Sequence, residues 1–188
     1  MQITETTVRQ IKMADIMTSH NLDPIDITLE NFEPGKGRIT IRCWGKAWTS
    51  FWGAMAGMSV EKFFCSCDEH YLAGCLAQGL PDERYSPDGT AQAAKREVLK
   101  RRRDFTKGRR SDADPLDAEE ARYVWDLIGD EVDECDAHHI LPKAMGHEEW
   151  WHCTKSEPHP DYQYLCRVIL AAQEGLRMAE NQSKKVEK

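Results

Sequence analysis

Residues 27–52 read ITLENFEPGKGRITIRCWGKAWTSFW, and this stretch decides the first part of the fold. Apolar and polar side chains alternate from Ile39 to Cys43, which is the pattern of a strand with one buried face. The run Pro34-Gly35-Lys36-Gly37 predicts a turn before that strand, and Gly45-Lys46 predicts a second tight turn after it. The sequence therefore predicts a three-stranded antiparallel meander over about residues 26–52.

A helix is predicted soon after the meander. Ser59 suits the N-cap position, apolar residues recur at helical spacing to about residue 78, and Gly79 with Pro81 ends the helix. We expect its buried face to carry four residues, namely Phe63, Cys67, Tyr71 and Cys75. A small meander packed on a helix and followed by a mostly helical C-terminal half is an α+β fold.

The rest of the chain shows mainly helical spacing. We predict an α+β part over residues 1–80, a linker at 81–90, a helical part over 91–180 and a frayed tail at 181–188. The linker is indicated by its proline and glycine content. Helices within the second half are expected at about 90–105, 117–128 and 162–179.

Composition limits the classes of function. The chain has 188 residues, a formal net charge of -7 and seven cysteines. An acidic balance disfavours sequence-independent binding to nucleic acid, because neutralising phosphates needs a positive surface. No apolar run approaches the roughly 18 residues that span a bilayer, and no signal peptide is evident at the N-terminus. We therefore expect a cytoplasmic protein with reduced thiols.

Two adjacent blocks carry opposite charge. Nine basic residues lie between Lys95 and Arg110, and eleven acidic residues lie between Asp112 and Asp136. The blocks could pair with each other across a helical hairpin, with Arg101, Arg102, Arg103, Arg109 and Arg110 as the basic partners. Alternatively, a basic helix could grip nucleic acid through Lys100, Arg101, Arg102 and Arg103. In a third interpretation a partner protein binds the acids at Asp126, Asp130, Glu131, Asp133 and Glu134.

Three tryptophans supply unusual aromatic mass in the meander. Trp44, Trp48 and Trp52 recur every four residues. They could pack between the sheet and the helix, or they could form an exposed binding surface for a partner. The sequence leaves both alternatives open.

Metal-capable side chains concentrate between Cys135 and Cys166, where five of the seven histidines and three of the seven cysteines lie. The spacing matches no strong zinc signature, and a CxxC pair is absent. We therefore expect no cofactor. The alternative is a zinc site, whose candidate ligands are Cys135, His138, His139, Cys153 and His159.

Part of this stretch resembles the core of the HNH nucleases. Asp136, His138, His139, Ile140 and Pro142 resemble the strand that carries that family's general base. The resemblance implies a metal-dependent nuclease with His139 as base and with Asp136, Asp161 and either His138 or His159 around the metal. The family's last helix supplies a metal-binding histidine, whereas this chain has Arg167-Val168-Ile169-Leu170 there.

A second resemblance covers roughly residues 25–80, including ITLENFEPGKGRITIRCWGKAWTSFWGAM and SVEKFFCSCDEHYLAGCL. This part resembles uncharacterised accessory proteins of lambda-like phages and prophages of enteric bacteria. The resemblance implies a phage protein in the bacterial cytoplasm and brings no catalytic residues. Genes in that setting often modulate host nucleases, recombination or anti-phage defence.

These observations favour a non-enzymatic phage accessory protein. We expect it to bind and modulate a host or phage protein, such as a nuclease, recombination or defence factor, through the acidic surface. This interpretation includes an inhibitor or a counter-defence protein, and it needs no direct contact with nucleic acid or membrane. The alternatives are a divergent HNH-type nuclease and a basic-helix module that binds nucleic acid.

Overall fold

The computed structural model describes residues 8–16, 21–108, 113–146 and 149–186, with side chains described as far as Gln182. The chain divides into two compact units. The first comprises the residues up to Pro81 together with those from Pro160 onward, and the second comprises Asp82–His159. Each unit has its own apolar core.

An antiparallel sheet forms one layer of the first unit. Its strands are β1 (Arg9–Met13), β2 (Ile25–Glu33), β3 (Lys36–Cys43) and β4 (Lys46–Trp52), and they lie side by side in chain order. The predicted three-stranded meander is confirmed as β2 to β4, and β1 adds a fourth strand beside β2. The face turned to the core carries Ile25, Ile27, Leu29, Ile39, Ile41 and Cys43.

Tight turns set the register of this sheet. Between β2 and β3 the turn contains Gly35, which has a φ of +81° and accepts a hydrogen bond from the Met55 amide at 2.8 Å. Between β3 and β4, Cys43 pairs directly with Lys46, so the turn residues are Trp44 and Gly45. The second turn therefore lies one residue earlier than predicted.

Two short helices occupy the region where one helix was predicted. They are α1 (Val60–Ser66) and α2 (Glu69–Leu76). The chain breaks between them because the carboxylate of Asp68 accepts a hydrogen bond from the Tyr71 amide at 2.9 Å and so caps α2. The prediction of a single helix over residues 60–78 is wrong.

The break changes which side chains face the core. Val60, Phe64, Leu72 and Leu76 are buried, whereas Tyr71 is 46% exposed. The other three predicted core residues, Phe63, Cys67 and Cys75, are only partly buried at the edge of the core. The predicted common burial of these four residues is therefore wrong, because the two helices do not share one continuous helical phase.

A long C-terminal helix completes the first unit. Helix α6 spans Pro160–Val186 and buries Leu165, Val168, Ile169, Ala172 and Leu176 in the same core as the sheet. The buried amide of Gln173 donates hydrogen bonds of 2.8 Å to the carbonyls of Phe64 and Cys67, which satisfies acceptors at the end of α1. The helix continues through most of the predicted tail at 181–188, of which residues 187 and 188 lie outside the described residues.

The second unit is mainly helical. It contains β5 (Glu83–Tyr85), α3 (Pro87–Lys107), α4 (Ala118–Ile128), α5 (Glu134–Met145), a 3₁₀ helix (Trp150–Cys153) and β6 (Ser156–Pro158). Strands β5 and β6 form an antiparallel pair. The core of the second unit contains residues of all three α-helices, including Ala94, Val98, Val124, Ile128 and Leu141.

This division differs from the predicted one. The predicted linker at 81–90 contains β5 and the start of α3. The Ser86 hydroxyl caps α3 by accepting a hydrogen bond from the Gly89 amide at 3.2 Å. The predicted helical part at 91–180 is shared between the two units, because α6 packs with the N-terminal sheet. The α+β class itself is confirmed.

Candidate functional site

Helix α3 carries the basic residues from Lys95 to Lys107, and α4, the loop after it and the first turn of α5 carry most of the acidic block. Helix α4 begins with a capping box in which Asp117 accepts hydrogen bonds from the amides of Glu119 and Glu120. The Glu120 carboxylate in return accepts a 2.9 Å hydrogen bond from the Asp117 amide. Helix α3 ends at Gly108, which has a φ of +61°. These caps determine where α4 begins and where α3 ends, and so which charged residues lie on each helix.

A groove runs between α3 and α4, and we call it the Trp125 groove. It encloses about 350 Å³. Trp125 is 36% exposed and Leu99 is 42% exposed, so apolar surface is open to solvent. The ammonium of Lys95 lies 5.1 Å from the centre of the Trp125 ring. The groove is lined by Val98, Leu99, Arg102, Ala121, Arg122, Trp125 and Asp126.

Five carboxylates form what we call the acidic rim: Asp126, Asp130, Glu131, Asp133 and Glu134. All five are exposed. Val132 is fully buried among them, and its carbonyl accepts a 2.8 Å hydrogen bond from the Tyr85 hydroxyl. This buried anchor holds the loop between α4 and α5 in place, so that its acidic side chains remain at the surface.

The predicted pairing of the two charge blocks is observed at one place. The ammonium of Lys95 lies 3.5 Å from a carboxylate oxygen of Asp130. Among the described residues, no ion pair joins Asp126, Glu131, Asp133 or Glu134 to the basic block. Arg109 and Arg110 lie outside the described residues. Within the described chain, the acidic rim is therefore largely exposed to solvent.

Arg101 is the main correction to the predicted nucleic-acid surface. It is only 4% exposed. Its Nε donates to the Asp114 carbonyl at 2.7 Å, and its Nη1 donates to the carbonyls of Lys143 and Ala144 at 2.6 and 3.0 Å. Burial lowers the pKa of its guanidinium. Arg101 therefore satisfies acceptors at the end of α5 inside the second unit and is not accessible to phosphates.

The other three predicted nucleic-acid residues do not form one row. Lys100 pairs with Glu97 at 3.0 Å. Arg102 is half-buried, donates to the Thr106 hydroxyl at 3.2 Å and lies 5.5 Å from the Phe105 ring. Arg103 is exposed. Because Arg101 faces inward between them, the four consecutive cations do not present a continuous basic surface.

The three tryptophans of the meander have different environments. Trp52 is buried against Phe63, with ring centres 5.3 Å apart, and Trp48 is partly buried against Tyr164 at 6.1 Å. Trp44 is 73% exposed. The packing interpretation therefore fits Trp48 and Trp52, and only Trp44 of the three presents most of its ring to solvent.

Trp44 also has an unusual backbone conformation. Its φ is +45° and that of Gly45 is +68°, as in the two-residue turns that favour Asn and Gly. For a residue with a side chain, this left-handed conformation costs roughly 1–2 kcal/mol. The turn therefore places a large aromatic ring at the surface in spite of an unfavourable local conformation.

The residues that resemble an HNH core lie on a helix instead of the strand that the resemblance implies. Asp136, His138 and His139 are exposed on α5, with the two imidazole rings 3.8 Å apart. Asp161 lies in the first turn of α6 and pairs with Lys46 at 2.7 Å. The strand expected for Asp136 to Pro142 is therefore wrong, because these residues are helical.

The candidate zinc ligands are dispersed. Cys135 is exposed on α5, Cys153 is half-buried in the 3₁₀ helix, and His159 is half-buried after β6. Within the described ranges, no three His, Cys, Asp or Glu side chains are grouped so that they could hold a metal ion. His147 falls outside those ranges.

The thiols in the first unit are shielded. Burial raises the pKa of Cys65, Cys67 and Cys166 above the usual value of a free thiol. A raised pKa leaves less thiolate at neutral pH, so these groups are poor nucleophiles.

A pocket in the first unit was missed by the sequence analysis, and we call it the Trp44 pocket. Its wall includes Tyr164, whose hydroxyl donates to the buried Cys43 sulfur at 3.2 Å, and Cys43 lies 121 residues earlier in the chain. Burial, followed by the hydrogen bond to Cys43, raises the pKa of Tyr164 to about 12. No local pattern in the sequence could have indicated this contact. The pocket encloses about 420 Å³ and is lined by Asp23, Trp44, Lys46, Pro160, Asp161, Tyr164 and Arg167.

A second pocket of about 620 Å³ adjoins the Trp44 pocket and shares Pro160 and Arg167 with it. His70 and Tyr162 stack on its other side, with ring centres 5.9 Å apart and an interplanar angle of 15°. His70 Nδ1 and the Tyr162 hydroxyl are 3.0 Å apart. We call it the His70 pocket.

The fold and these surfaces define an α+β protein with exposed charged and aromatic surfaces in both units. In the described part of the chain, no helix is both long and apolar enough to cross a membrane. A family model described as a phage family, Phage_phiTE_072, matches residues 1–178. The chain belongs to this phage family. No curated protein and no solved structure matches the chain.

Proposed function

We propose that this phage protein acts by binding a partner protein through the Trp125 groove and the acidic rim. The observation that carries the proposal is that Trp125 and Leu99 expose apolar surface in the same groove that Asp126 of the rim lines. Aromatic anchors often dominate the binding energy at the centre of a protein interface, and charged groups usually lie at its rim. In this proposal the chain acts by occupying a surface of its partner, and it needs no catalytic step of its own.

The charge of the surface indicates the chemistry of the partner. Five exposed carboxylates lie around the α4–α5 loop, and the described cations of the basic block offer them one ion pair, from Lys95 to Asp130. Such a field attracts a positive surface and accelerates its association. We therefore propose a partner whose binding face has an apolar side chain that enters the groove and, beside it, lysine or arginine that meets the acids of the α4–α5 loop.

A nucleic-acid-processing or defence protein of the host or of the phage fits this description. Proteins of that class carry positive surfaces for phosphates, and a row of exposed carboxylates can compete for such a surface. In this proposal the chain is an inhibitor or modulator that blocks the partner's nucleic-acid surface. Membership of a phage family is consistent with such a role.

The test is affinity capture from phage-infected host cells with three forms of the full chain. Trp125→Ala removes the anchor of the groove. Trp151→Ala is the matched control, because Trp151 is also an exposed tryptophan of the second unit, with 52% of its surface accessible, and does not line the groove. We expect a protein that the wild type and Trp151→Ala retain and that Trp125→Ala retains at least tenfold less. Equal retention by all three folded forms would contradict the proposal.

A further inference from the structure

The Trp44 pocket combines an open aromatic face with fixed positive charge. Trp44 is 73% exposed at the tip of the β3–β4 turn. The ammonium of Lys46 and the guanidinium of Arg167 lie 5.6 and 5.8 Å from the centre of the Tyr164 ring. From this arrangement we infer that the pocket binds a nucleotide, with the base stacked on Trp44 and the phosphate held by Arg167. The inference does not rest on the proposed partner of the second unit.

We infer an aromatic ligand from the exposed indole ring of Trp44. The turn has positive φ at both residues, and glycine or asparagine would form it with less strain. The structure therefore retains an indole where the backbone does not favour it, and that indole presents a flat, accessible face. Stacking of a base on such a side chain is tolerant of base identity and contributes strongly to binding.

The exposed guanidinium of Arg167 favours a ligand with a negatively charged group. Two cations already flank the Tyr164 ring, so a cationic ligand would meet charge of its own sign there. Lys46 is paired with Asp161 at 2.7 Å, which leaves the planar guanidinium of the exposed Arg167 to contact a phosphate in two places. A nucleotide supplies both features, because it has a planar aromatic base and a phosphate on its sugar.

The carboxylates of the pocket favour some bases over others. Asp23 lines the same pocket, and an ionised carboxylate accepts hydrogen bonds only. It can therefore accept from the exocyclic amino group of adenine, cytosine or guanine, whereas thymine lacks that group and can donate only from its ring N3–H. A volume of about 420 Å³ lies within the ordinary range of small-molecule sites and has room for one nucleotide.

The wall of the pocket is held by hydrogen bonds and by ring packing. Tyr164 is hydrogen-bonded to Cys43, whose thiol donates to the Asp23 carbonyl at 3.5 Å. Trp48 packs against Tyr164 with ring centres 6.1 Å apart. A preformed wall reduces the ordering cost of binding.

The nucleotide could be free or part of a single strand. The His70 pocket shares Arg167 with the Trp44 pocket and carries a second aromatic pair, so a neighbouring nucleotide of a strand has a place to lie. The shared chemistry is a base with its phosphate, and the length of the probe distinguishes the two sources.

Isothermal titration calorimetry of the full chain tests the inference with dAMP, dTMP, a single-stranded hexamer of deoxyadenosine and inorganic phosphate. We expect dAMP to bind more tightly than dTMP and inorganic phosphate to bind at least tenfold more weakly than dAMP. A hexamer that binds more than tenfold tighter than dAMP identifies a single strand as the source, and equal binding identifies the free nucleotide. Either result supports the site.

Two variants assign the binding to the pocket. Trp44→Gly removes the ring and relieves the positive φ, so it should weaken dAMP and hexamer binding at least tenfold without lowering the melting temperature. Arg167→Ala should weaken both in the same way, whereas Trp151→Ala should leave both unchanged. Absence of binding at millimolar concentrations, equal binding of inorganic phosphate and dAMP, or full binding by folded Trp44→Gly would overturn the inference.

Discussion

The guanidinium of Arg101 donates a 2.6 Å hydrogen bond to the main-chain carbonyl of Lys143, which joins the C-terminal third of α3 to the last turn of α5. The same nitrogen donates to the Ala144 carbonyl at 3.0 Å, and Nε reaches Asp114. A residue that appears in the sequence as part of a basic row thus serves as an internal cap. Because Arg101 is buried, it stabilises the fold of the second unit and does not contact phosphates.

Replacement of Arg101 by alanine should destabilise the protein. The change leaves three carbonyls without their charged donor, and the loss of a buried, hydrogen-bonded group of this kind costs about 2–4 kcal/mol. The neighbouring Arg103→Ala is the control, because Arg103 is exposed and should change the free energy of unfolding by less than about 0.5 kcal/mol. Urea denaturation measures both. Equal stability of the two variants would show that Arg101 is not a structural residue.

Two glycine-to-alanine changes in the first unit should act in opposite directions. At Gly37 an added Cβ would overlap Val60 Cγ2 and lie 2.5 Å from the Glu30 carbonyl oxygen, so we expect a loss of about 2–4 kcal/mol. At Gly74, inside α2, the added Cβ meets nothing within 4 Å. Alanine there should stabilise the protein by about 0.5–1 kcal/mol. Denaturant midpoints test the pair, and a tolerated Gly37→Ala would contradict the observed packing of α1 on the sheet.

The environment of Tyr164 predicts a loss of stability at high pH. Its pKa is raised from 10.0 to about 12 by burial and by the hydrogen bond to Cys43. The unfolded chain therefore releases this proton first as the pH rises, and the stabilisation present below pH 10 should be lost between about pH 10 and 12. The pKa values of Tyr71 and Tyr85 are raised as well, so tyrosinate absorbance should show several late tyrosines, and Tyr164→Phe should remove the component that ionises at about pH 12. An unchanged titration in the variant would contradict the assignment.

The HNH resemblance yields a prediction of its own. Asp136, His138 and His139 lie exposed on a helix, and the chain has Arg167 to Leu170 where that family has its last metal-binding histidine. We expect no magnesium- or zinc-dependent cleavage of DNA by the purified protein, and we expect His139→Ala to retain partner capture. Metal-dependent cleavage that disappears in His139→Ala would contradict the proposed binding function and favour a nuclease.

The sheet could be predicted because its signal is local and periodic. The alternation from Ile39 to Cys43 and the glycines of the turns determine β2 to β4, and the structure confirms them. Strand β1 has only five residues and was missed. The three-residue strands β5 and β6 are too short to show a period, so the pairing of Glu83 with Pro158 was invisible and a linker was predicted instead.

Other differences arise where a specific contact competes with a general pattern. The apolar spacing through residues 60–78 favours one helix, but the hydrogen bond from the Tyr71 amide to Asp68 starts a new one. Charge predicts a surface position for Arg101, but three well-placed carbonyls allow its burial. The contact of Tyr164 with Cys43 depends on the tertiary fold alone. The candidate sites were therefore less predictable than the fold, since they depend on side chains far apart in sequence.

The most direct test of the proposed function is the association rate of the captured partner with a charge-reversed protein. In Asp126→Lys with Glu131→Lys, two exposed carboxylates of the acidic rim change sign, and the free energy of unfolding should stay within about 1 kcal/mol of the wild type, about 0.5 for each surface change. The control reverses two exposed acids outside the rim, Glu149 and Glu174, for the same change in net charge. Stopped-flow kinetics at several salt concentrations should show at least tenfold slower, less salt-sensitive association for the rim variant only. Association rates that are the same for the two folded double variants would contradict the account.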